Sequence, residues 1–334
     1  MNRIGLGIIG CGIAARKLHL PALRALADRF VIAAVCNHTA PKAEEFAHMV
    51  GGVPYLLKYK DLLLRDDVEA VDIALPIHLN YKVTKDALEA GKHVIVEKPI
   101  AANMVEARKM LGFTRRYPRV MMVAENCRYQ SIFKRSKELL QDGAIGQPYS
   151  AVWNIFQRVT SEENPYARTA WRINHRYEGG FLTDAGVHHI AVLRSLFGEI
   201  KWVSGVSRSV NPTIGRLDTL SFLFEASQGL KGVFNLYFSA IGYAENQLLV
   251  FGTGGTLIVE GTSIRLKRVG KADLVEIAPD DGGFIEEFLD FYEAIRKGTK
   301  VRSTFMEGVR DLRVILGALD SARTGRKERL RPAP

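Results

Sequence analysis

Five short apolar runs alternate with helical segments over the first third of the chain, and this alternation restricts the fold more than any other feature. The runs are rich in Val, Ile and Ala and lie at 4–9, 31–36, 71–75, 93–96 and 120–124. Continuous apolar runs of this length are typical of parallel strands buried on both faces. The helical segments between them lie at about 41–47, 81–90 and 104–116. These repeated β–α–β units predict a doubly wound α/β domain, a Rossmann domain, over residues 1–124.

Polar and apolar residues alternate in long stretches after about residue 125. The stretches lie at 149–159, 217–225, 231–239 and 247–251. In 231–239 the alternation puts Gly232, Phe234, Leu236 and Phe238 on one face, a period typical of antiparallel strands with one apolar face. Residues 125–334 are therefore predicted to form an α+β domain with a large, mostly antiparallel open sheet. Its predicted helices lie at about 133–141, 284–297 and 305–323.

Composition narrows the class of protein. The 334 residues are 47% hydrophobic and 25% charged, which suits a globular protein of two domains. No apolar run has the length of a membrane span and no cleavage site follows the apolar N-terminus, so we expect no membrane association and a cytoplasmic location. The charge of +10 is spread along the chain apart from a basic tail at 322–334, and no nucleic-acid-binding motif accompanies it. Three cysteines are too few for a disulfide framework and lack metal-ligand spacing.

The segment GCGIAA directly follows the first predicted strand and opens a helical stretch. Gly10 permits a tight turn, Gly12 lets the backbone approach a pyrophosphate, and Ala15 is small enough for the helix to pack on the strand. The helix N-terminus offers N–H groups and the positive end of its dipole to the phosphates. The order of strand, glycine turn, helix and second strand favours nucleotide binding over a purely structural turn. The predicted phosphate-binding residues are Gly10, Gly12, Ile13, Ala14 and Ala15.

Asn37 closes the second predicted strand, where the ribose of a bound dinucleotide is expected. A site specific for NAD usually carries Asp or Glu at this position. Asn can hydrogen-bond a 2′-hydroxyl without repelling a 2′-phosphate, and His38, Thr39 and Lys42 could supply donors or charge to that phosphate. The sequence therefore allows NAD or NADP. It also allows a simpler interpretation, in which Asn37 and Thr39 only shape the turn and cap the next helix.

A Glu-Lys-Pro sequence, residues 97–99, follows the strand predicted at 93–96. In open α/β sheets, ligands bind beyond the carboxyl ends of the strands, which would put Lys98 in the binding crevice. Pro99 favours an extended conformation at Lys98. A lysine held there could polarise a substrate oxygen or tune a neighbouring base. The alternative is an exposed lysine in an ordinary turn.

The segment GGFLTDAGVHH, residues 179–189, precedes a helix predicted at 190–197. Asp184 and His188 are four residues apart, so they share a face if the helix begins by Asp184. A histidine and a carboxylate so placed could form an acid–base pair, with the histidine as the proton carrier. The alternative is that Asp184 caps the helix and His188 packs in the core.

With GCGIAA, EKP and the Asp-x-Gly-x-His segment in this order, the chain resembles the Gfo/Idh/MocA oxidoreductase family, which includes glucose–fructose oxidoreductase and inositol dehydrogenases. The resemblance extends over nearly the whole length through AVDIALPIHLN, ALEAGKHVIVEKPIA, AENCRYQ, GAIGQPYS and Trp171-Arg172. It implies a Rossmann domain and a second domain whose sheet face often forms the oligomer interface, hence a homodimer or homotetramer. It also implies a nicotinamide cofactor and reversible hydride transfer at a hydroxyl-bearing carbon of a sugar, sugar derivative or cyclitol.

The resemblance implies roles for individual residues as well. Lys98, Asp184 and His188 match the family's catalytic set. His188 would accept the proton of the substrate hydroxyl, assisted by Lys98, while Asp184 would position the substrate. Glu97 and Pro76 would lie along the cofactor, beside Lys98. The implied substrate-binding residues are Asn126, Tyr129, Arg172, Asp184 and His188.

The sequence departs from the family pattern in two loops. The loop that often reads Thr-Pro-Asn is Leu75-Pro76-Ile77, and Asn80 stands where a histidine can follow it. Phe181 replaces the third of three glycines that usually precede the aspartate, and we expect it to narrow the pocket.

Two other functions are compatible with the same resemblance. One is an NAD-dependent glycosidase, and the other is a non-catalytic regulator that senses a dinucleotide; the intact catalytic set argues against the second. A metal site at His175, His188 and His189 is not predicted, because no carboxylate or cysteine stands at ligand spacing.

Overall fold

The computed structural model describes residues 3–330, so the last four residues of the predicted basic tail, 331–334, lie outside the described residues. The chain forms two compact units. The first comprises the residues up to Asn126 together with Gly283–Val309, and the second comprises Cys127–Gly282 together with the residues from Arg310 onward.

The elements of the described chain follow in sequence order. The strands are β1 (Ile4–Ile9), β2 (Phe30–Cys36), β3 (Tyr55–Leu56), β4 (Ala70–Ile73), β5 (His93–Glu97), β6 (Met121–Ala124), β7 (Pro148–Phe156), β8 (Ile200–Arg208), β9 (Thr219–Ala226), β10 (Lys231–Tyr237), β11 (Glu245–Gly252), β12 (Gly255–Glu260), β13 (Ser263–Arg268), β14 (Leu274–Ile277) and β15 (Glu328–Arg329). The α-helices are α1 (Leu20–Ala25), α2 (Ala40–Met49), α3 (Tyr59–Leu63), α4 (Asn80–Glu89), α5 (Met104–Arg116), α6 (Ser131–Gln141), α7 (Ala170–Ile173), α8 (Gly180–Phe197), α9 (Phe284–Lys297) and α10 (Phe305–Thr324). A π-helical turn, Ala15–His19, precedes α1, and 3₁₀ turns occupy Ile77–Leu79, Asn126–Arg128 and Pro212–Ile214.

A six-stranded parallel sheet forms the centre of the first unit, in the order β3-β2-β1-β4-β5-β6. Its central strands are buried along almost their whole length, because helices cover both faces of a doubly wound sheet. The strand order reverses between β1 and β4, which creates a crevice at the carboxyl ends of these two strands. The predicted Rossmann fold is confirmed.

The predicted boundary between the domains needs one correction. We assigned everything after residue 124 to the second domain, but Gly283–Val309 belongs to the first unit. The reason is packing: Phe288 of α9 is fully buried and meets the rings of His19 and Phe30 edge-on. Arg296, near the end of α9, forms a bidentate ion pair with Glu69. The Nη1–Oε1 distance is 2.5 Å and the Nη2–Oε2 distance is 2.7 Å.

A nine-stranded sheet forms the second unit, in the order β14-β13-β12-β11-β7-β10-β9-β8-β15. All neighbouring strands are antiparallel except β7 and β10. The predicted large, mostly antiparallel sheet is therefore confirmed. The alternation in β10 is also as predicted, because Phe234 and Leu236 are fully buried on one face while Asn235 is partly exposed on the other.

Helices α8 and α10 cover the apolar face of this sheet. Gly186 of α8 lies against Leu236 of the sheet and Ile315 of α10, and a Cβ at Gly186 would lie 3.1 Å from each side chain. The opposite face of the sheet exposes Val206 and Leu223. The homodimer or homotetramer stays a prediction.

The helices of the described chain also bear on membrane association. Within residues 3–330, none is both long and apolar enough to cross a bilayer. The longest, α10, has 20 residues and carries charged side chains in its first and last turns. The cytoplasmic location stays a prediction.

Candidate active site

The glycine turn after β1 has the geometry that a dinucleotide requires. Gly10 has φ +107°, a conformation that favours glycine, and a Cβ there would lie 2.2 Å from the carbonyl oxygen of Ala74. The Gly10 N–H donates to the carbonyl oxygen of Cys36 at 2.8 Å, which ties the turn to the end of β2. Gly12 is exposed, and a Cβ there would meet nothing within 4 Å. The backbone at Gly12 is therefore open to a phosphate group, as the motif predicts.

The helix after this turn is packed as its small residues predict. Ala15 is fully buried, while Ile13 and Ala14 are partly exposed in the first turn. Arg16, which no sequence motif identified, also contacts the turn. Its Nε donates to the carbonyl oxygen of Cys11 at 3.0 Å, and its Nη2 donates to that of Lys42 at 3.1 Å. This arginine links the glycine turn to α2.

Asn37 lies directly beside the glycine turn. Its Oδ1 accepts a hydrogen bond from the Cys11 N–H at 3.4 Å, and its Nδ2 donates to the carbonyl oxygen of Thr39 at 3.3 Å. Asn37 does shape the turn, as the simpler interpretation holds, but the Thr39 side chain makes no capping hydrogen bond to α2. His38 and Lys42 are exposed next to Asn37 in the chain. This edge of the site carries no acidic side chain at position 37.

The Glu-Lys-Pro turn lies at the carboxyl end of β5 and is held by Asn80. The Asn80 side chain is fully buried, and its Nδ2 donates to the carbonyl oxygens of Glu97 at 2.8 Å and of Pro99 at 2.9 Å. The peptide between Lys98 and Pro99 is cis. Asn80, which departs from the family pattern, thus fixes the turn, and Pro76 is partly exposed just before the 3₁₀ turn that leads to Asn80.

A buried charged cluster lies behind this turn. His19 is fully buried between Asp72 of β4 and Glu97 of β5, with its Nδ1 2.8 Å from Asp72 Oδ2 and its Nε2 3.1 Å from Glu97 Oε1. Glu287 of α9 is buried nearby, and burial raises the pKa of its carboxyl group well above the usual range. No sequence motif predicted a role for His19, Asp72 or Glu287. A charged residue inside an apolar strand, as in AVDIAL, is the signal that could have identified Asp72.

In the second unit, α8 begins ten residues earlier than predicted, at Gly180. Asp184 and His188 therefore lie one above the other on the same face of a helix, which satisfies the condition set for the acid–base pair. Asp184 lies more than one turn inside the helix, so the alternative that it caps the helix is wrong. Asp184 is only 4% exposed, and His188 is partly exposed.

Arg172 of α7 holds Asp184 in place. Its Nε donates to Asp184 Oδ2 at 2.5 Å, and its guanidinium carbon lies 4.0 Å from the centre of the Trp171 ring. The guanidinium compensates the charge of the buried carboxylate and fixes its orientation. The structure thus brings together two of the predicted substrate-binding residues, Arg172 and Asp184, within the second unit.

Tyr177 is a further polar group at this position that the sequence analysis missed. It is 6% exposed, and within the described residues its hydroxyl has no hydrogen-bond partner. Burial raises its pKa, and the neighbouring Asp184 carboxylate raises it further. The hydroxyl therefore stays protonated and is available to donate a hydrogen bond.

Three other residues that the sequence singled out are Asn126, Tyr129 and Phe181. Tyr129 is almost fully buried and Asn126 is partly exposed in the 3₁₀ turn Asn126–Arg128, so their substrate contacts stay predictions. Phe181 is only 6% exposed and meets Phe238 edge-on at 5.0 Å between ring centroids. Phe181 therefore packs in the core of the second unit.

Comparison with known proteins places this geometry in a family. The NAD-binding Rossmann-fold model of the Gfo/Idh/MocA oxidoreductases matches residues 4–125, and the model of their C-terminal domain matches residues 133–258. The Saccharomyces cerevisiae protein YMR315W is 33% identical over 318 residues, which cover 90% of each chain.

Two crystal structures have the same fold. An oxidoreductase from Thermotoga maritima superposes with a TM-score of 0.93 and 37% identity over 98% of each chain. An aldose-aldose oxidoreductase from Caulobacter crescentus, complexed with glycerol, superposes with a TM-score of 0.87 and 24% identity over 98% of this chain and 100% of its own.

The fold and the glycine turn therefore define an NAD-binding oxidoreductase. More particularly, the chain belongs to the Gfo/Idh/MocA family, because the two family models together cover well over half of its length. The predicted family, enzyme class and nicotinamide cofactor are confirmed.

Proposed function

We propose that the protein catalyses reversible hydride transfer between a nicotinamide dinucleotide and a hydroxyl-bearing carbon of a sugar, sugar derivative or cyclitol. The observation that carries this proposal is the common face of α8, where His188 lies one turn from a buried Asp184 whose charge Arg172 compensates. The printed activity of the aldose-aldose oxidoreductase supports a sugar-like substrate.

The proposed roles follow from the chemistry of each side chain. Gly10 and Gly12 receive the pyrophosphate, and Asn37 meets the ribose. When bound, the oxidised nicotinamide supplies the hydride acceptor. His188 takes the proton from the substrate hydroxyl as the carbon loses its hydride, and in the reverse direction it returns that proton.

Lys98 and the Asp184 carboxylate serve the same step. The Lys98 ammonium stabilises the negative charge that develops on the substrate oxygen. Asp184 accepts a hydrogen bond from a substrate hydroxyl, and the Tyr177 hydroxyl offers a donor next to it. Acceptors and donors of this kind suit a polyhydroxylated substrate, because each substrate hydroxyl both donates and accepts.

The test separates chemistry from cofactor binding. We expect His188→Ala to lower kcat by about 10²- to 10⁴-fold, measured as NADH or NADPH formation over a panel of aldoses and cyclitols. The dissociation constant for NADH, measured by fluorescence titration, should change little. His189→Ala is the matched control, because the His189 ring packs against Trp153 and Phe234 in the core.

An equal loss of turnover and of NADH affinity in His188→Ala would refute the assigned role, and so would an equal loss of turnover in His189→Ala. Sugar release without net formation of reduced cofactor would instead identify a glycosidase.

A further inference from the structure

A buried histidine with a hydrogen-bond acceptor on each side is the starting point. Both ring nitrogens of His19 lie within hydrogen-bond distance of a carboxylate oxygen, Asp72 Oδ2 at 2.8 Å and Glu97 Oε1 at 3.1 Å. An ionised carboxylate only accepts hydrogen bonds, so the ring satisfies both partners only when both nitrogens carry protons. That form is the imidazolium cation.

The groups around this ring favour the cation. Burial by itself would lower the pKa of His19, but the carboxylates of Asp72 and Glu97 outweigh burial and raise it well above the usual range. Two other acids face the cluster, Glu125 after β6 and Glu287 of α9. Burial raises the pKa of Glu287 and so favours the neutral form of that carboxyl, which leaves Asp72 and Glu97 as the carboxylates paired with the His19 ring.

Aromatic side chains enclose the His19 ring and keep water away from it. The His19 ring is fully buried, and Phe288 meets it edge-on at 5.4 Å between centroids, with Phe284 at 6.3 Å. Charged hydrogen bonds gain strength in such a site, because no solvent competes for the donors. The orientation of the Glu97 side chain is thereby fixed.

Glu97 passes this constraint to the turn that carries Lys98. Its second oxygen, Oε2, accepts a hydrogen bond from the Lys98 backbone N–H at 3.1 Å. A chain of hydrogen bonds therefore runs from Asp72 through His19 and Glu97 to the backbone of Lys98. Glu97 and Lys98 stand at the carboxyl end of β5, the edge at which ligands bind in open α/β sheets.

We propose that His19 is a positioning residue for the cofactor, whose permanent positive charge holds Glu97, and through it the Lys98 turn, in the arrangement that binds the nicotinamide dinucleotide. This inference rests on the proposed function, because it requires a nicotinamide dinucleotide to bind at the sheet edge where Glu97 and Lys98 stand. It assigns a role in cofactor binding to the π-helical turn Ala15–His19, which follows the glycine turn and ends on His19.

The first experiment measures the charge of His19 directly. In protein labelled with ¹⁵N-histidine, and with the His19 resonance assigned from His19→Gln, both ring nitrogens should be protonated at about pH 8, where an ordinary histidine is neutral. Asp72→Asn should lower the pKa of His19, because it removes one of the two negative charges. A ring that is neutral at about pH 8 in the wild-type protein would overturn the proposal.

The second experiment measures NADH affinity by fluorescence titration. We expect His19→Gln to weaken NADH binding about tenfold, because a glutamine amide donates at one end and accepts at the other and so cannot serve both carboxylates. Phe288→Leu is the matched control, since it disturbs packing on the same ring but leaves both hydrogen bonds. It should bind NADH as the wild type does.

The Asp72→Asn variant adds a pH dependence that packing alone would not produce. A group with a raised pKa keeps its charge below that pKa and loses it as the pH rises. Relative to the wild type, Asp72→Asn should therefore bind NADH normally below the lowered pKa of His19 and progressively less well above it. A parallel pH profile, or unchanged NADH affinity in His19→Gln, would refute the positioning role. Failure of the wild type to bind NADH would instead refute the proposed function itself, and the positioning role with it.

Discussion

At the residue scale, we predict that Asn37 influences the choice between NAD and NADP. Its neutral amide lies against the glycine turn, with exposed His38 and Lys42 next to it in the chain. We predict that Asn37→Asp weakens NADPH binding at least about tenfold, because the new carboxylate repels the 2′-phosphate. NADH binding should stay within about threefold of the wild type, since a carboxylate hydrogen-bonds a 2′-hydroxyl well. Fluorescence titration with both cofactors measures the two effects.

The control for this prediction is Asn37→Ala, which removes the amide without adding charge. It should weaken NADH and NADPH binding to similar extents, because it removes the hydrogen bond from the Cys11 N–H to the Asn37 amide without placing a charge near the 2′ position. A comparable loss of NADPH affinity in Asn37→Ala and Asn37→Asp would contradict the electrostatic argument.

Individual residues differ in how far the sequence alone could identify them. Asp184 and His188 were predicted because a helix with four-residue spacing brings them together locally. The partners of His19 lie 53 and 78 residues away in the chain, so only the parallel pairing of β4 with β5 brings Asp72 and Glu97 to the same ring. No local pattern encodes such a contact.

At the scale of elements, two glycines in the turn between β1 and α1 have different roles. Gly10 is needed for the stability of the fold, and Gly12 is needed for cofactor binding. We predict that Gly12→Ala is as stable as the wild type, because a Cβ there meets nothing within 4 Å. Its affinity for NADH should fall at least about tenfold, because the added methyl group blocks the approach of the pyrophosphate. Gly10→Ala should instead lose about 1–3 kcal/mol of unfolding free energy, since it combines a positive φ with a Cβ 2.2 Å from the Ala74 carbonyl oxygen.

Urea denaturation and NADH titration of both variants test this pair, and each variant is the control for the other. A destabilised Gly12→Ala, or a Gly10→Ala as stable as the wild type, would show that the turn does not have the geometry described.

The bounds of elements with a clear hydrophobic periodicity were predicted closely. The bounds of elements stabilised mainly by tertiary packing were not. Helix α5, Met104–Arg116, has the predicted bounds, because Asn103 caps it and its apolar residues recur at helical spacing. The start of α8 was missed because Gly179, Gly180 and Gly186 disfavour a helix locally. Burial of almost every residue in the first turns of α8 outweighs that local preference.

At the scale of the whole molecule, the sequence predicted two domains but not their discontinuous chain course. The amphipathic pattern of α9 shows that one face is buried, and such a pattern does not specify which domain buries it. The structure assigns that face to the first unit through Phe288, which packs on His19 and Phe30. The predicted start of the second domain, residue 125, therefore lies close to the observed start at Cys127. The prediction did not separate Gly283–Val309 from that domain.

This assignment predicts how cofactor binding changes hydrogen exchange. With NADH at about 100 times its dissociation constant, the fold that binds it gains about 2.7 kcal/mol of stability. Amides of α9 should then exchange more slowly together with those of β1 and β4, because Phe288 and the Arg296–Glu69 ion pair join α9 to the same cooperative unit. Hydrogen exchange followed by mass spectrometry measures this, and Gly12→Ala should reduce the stabilisation to about 1.4 kcal/mol or less at the same NADH concentration, because its affinity for NADH is at least about tenfold weaker. Slower exchange in β1 without any change in α9 would mean that α9 unfolds independently of the parallel sheet of the first unit.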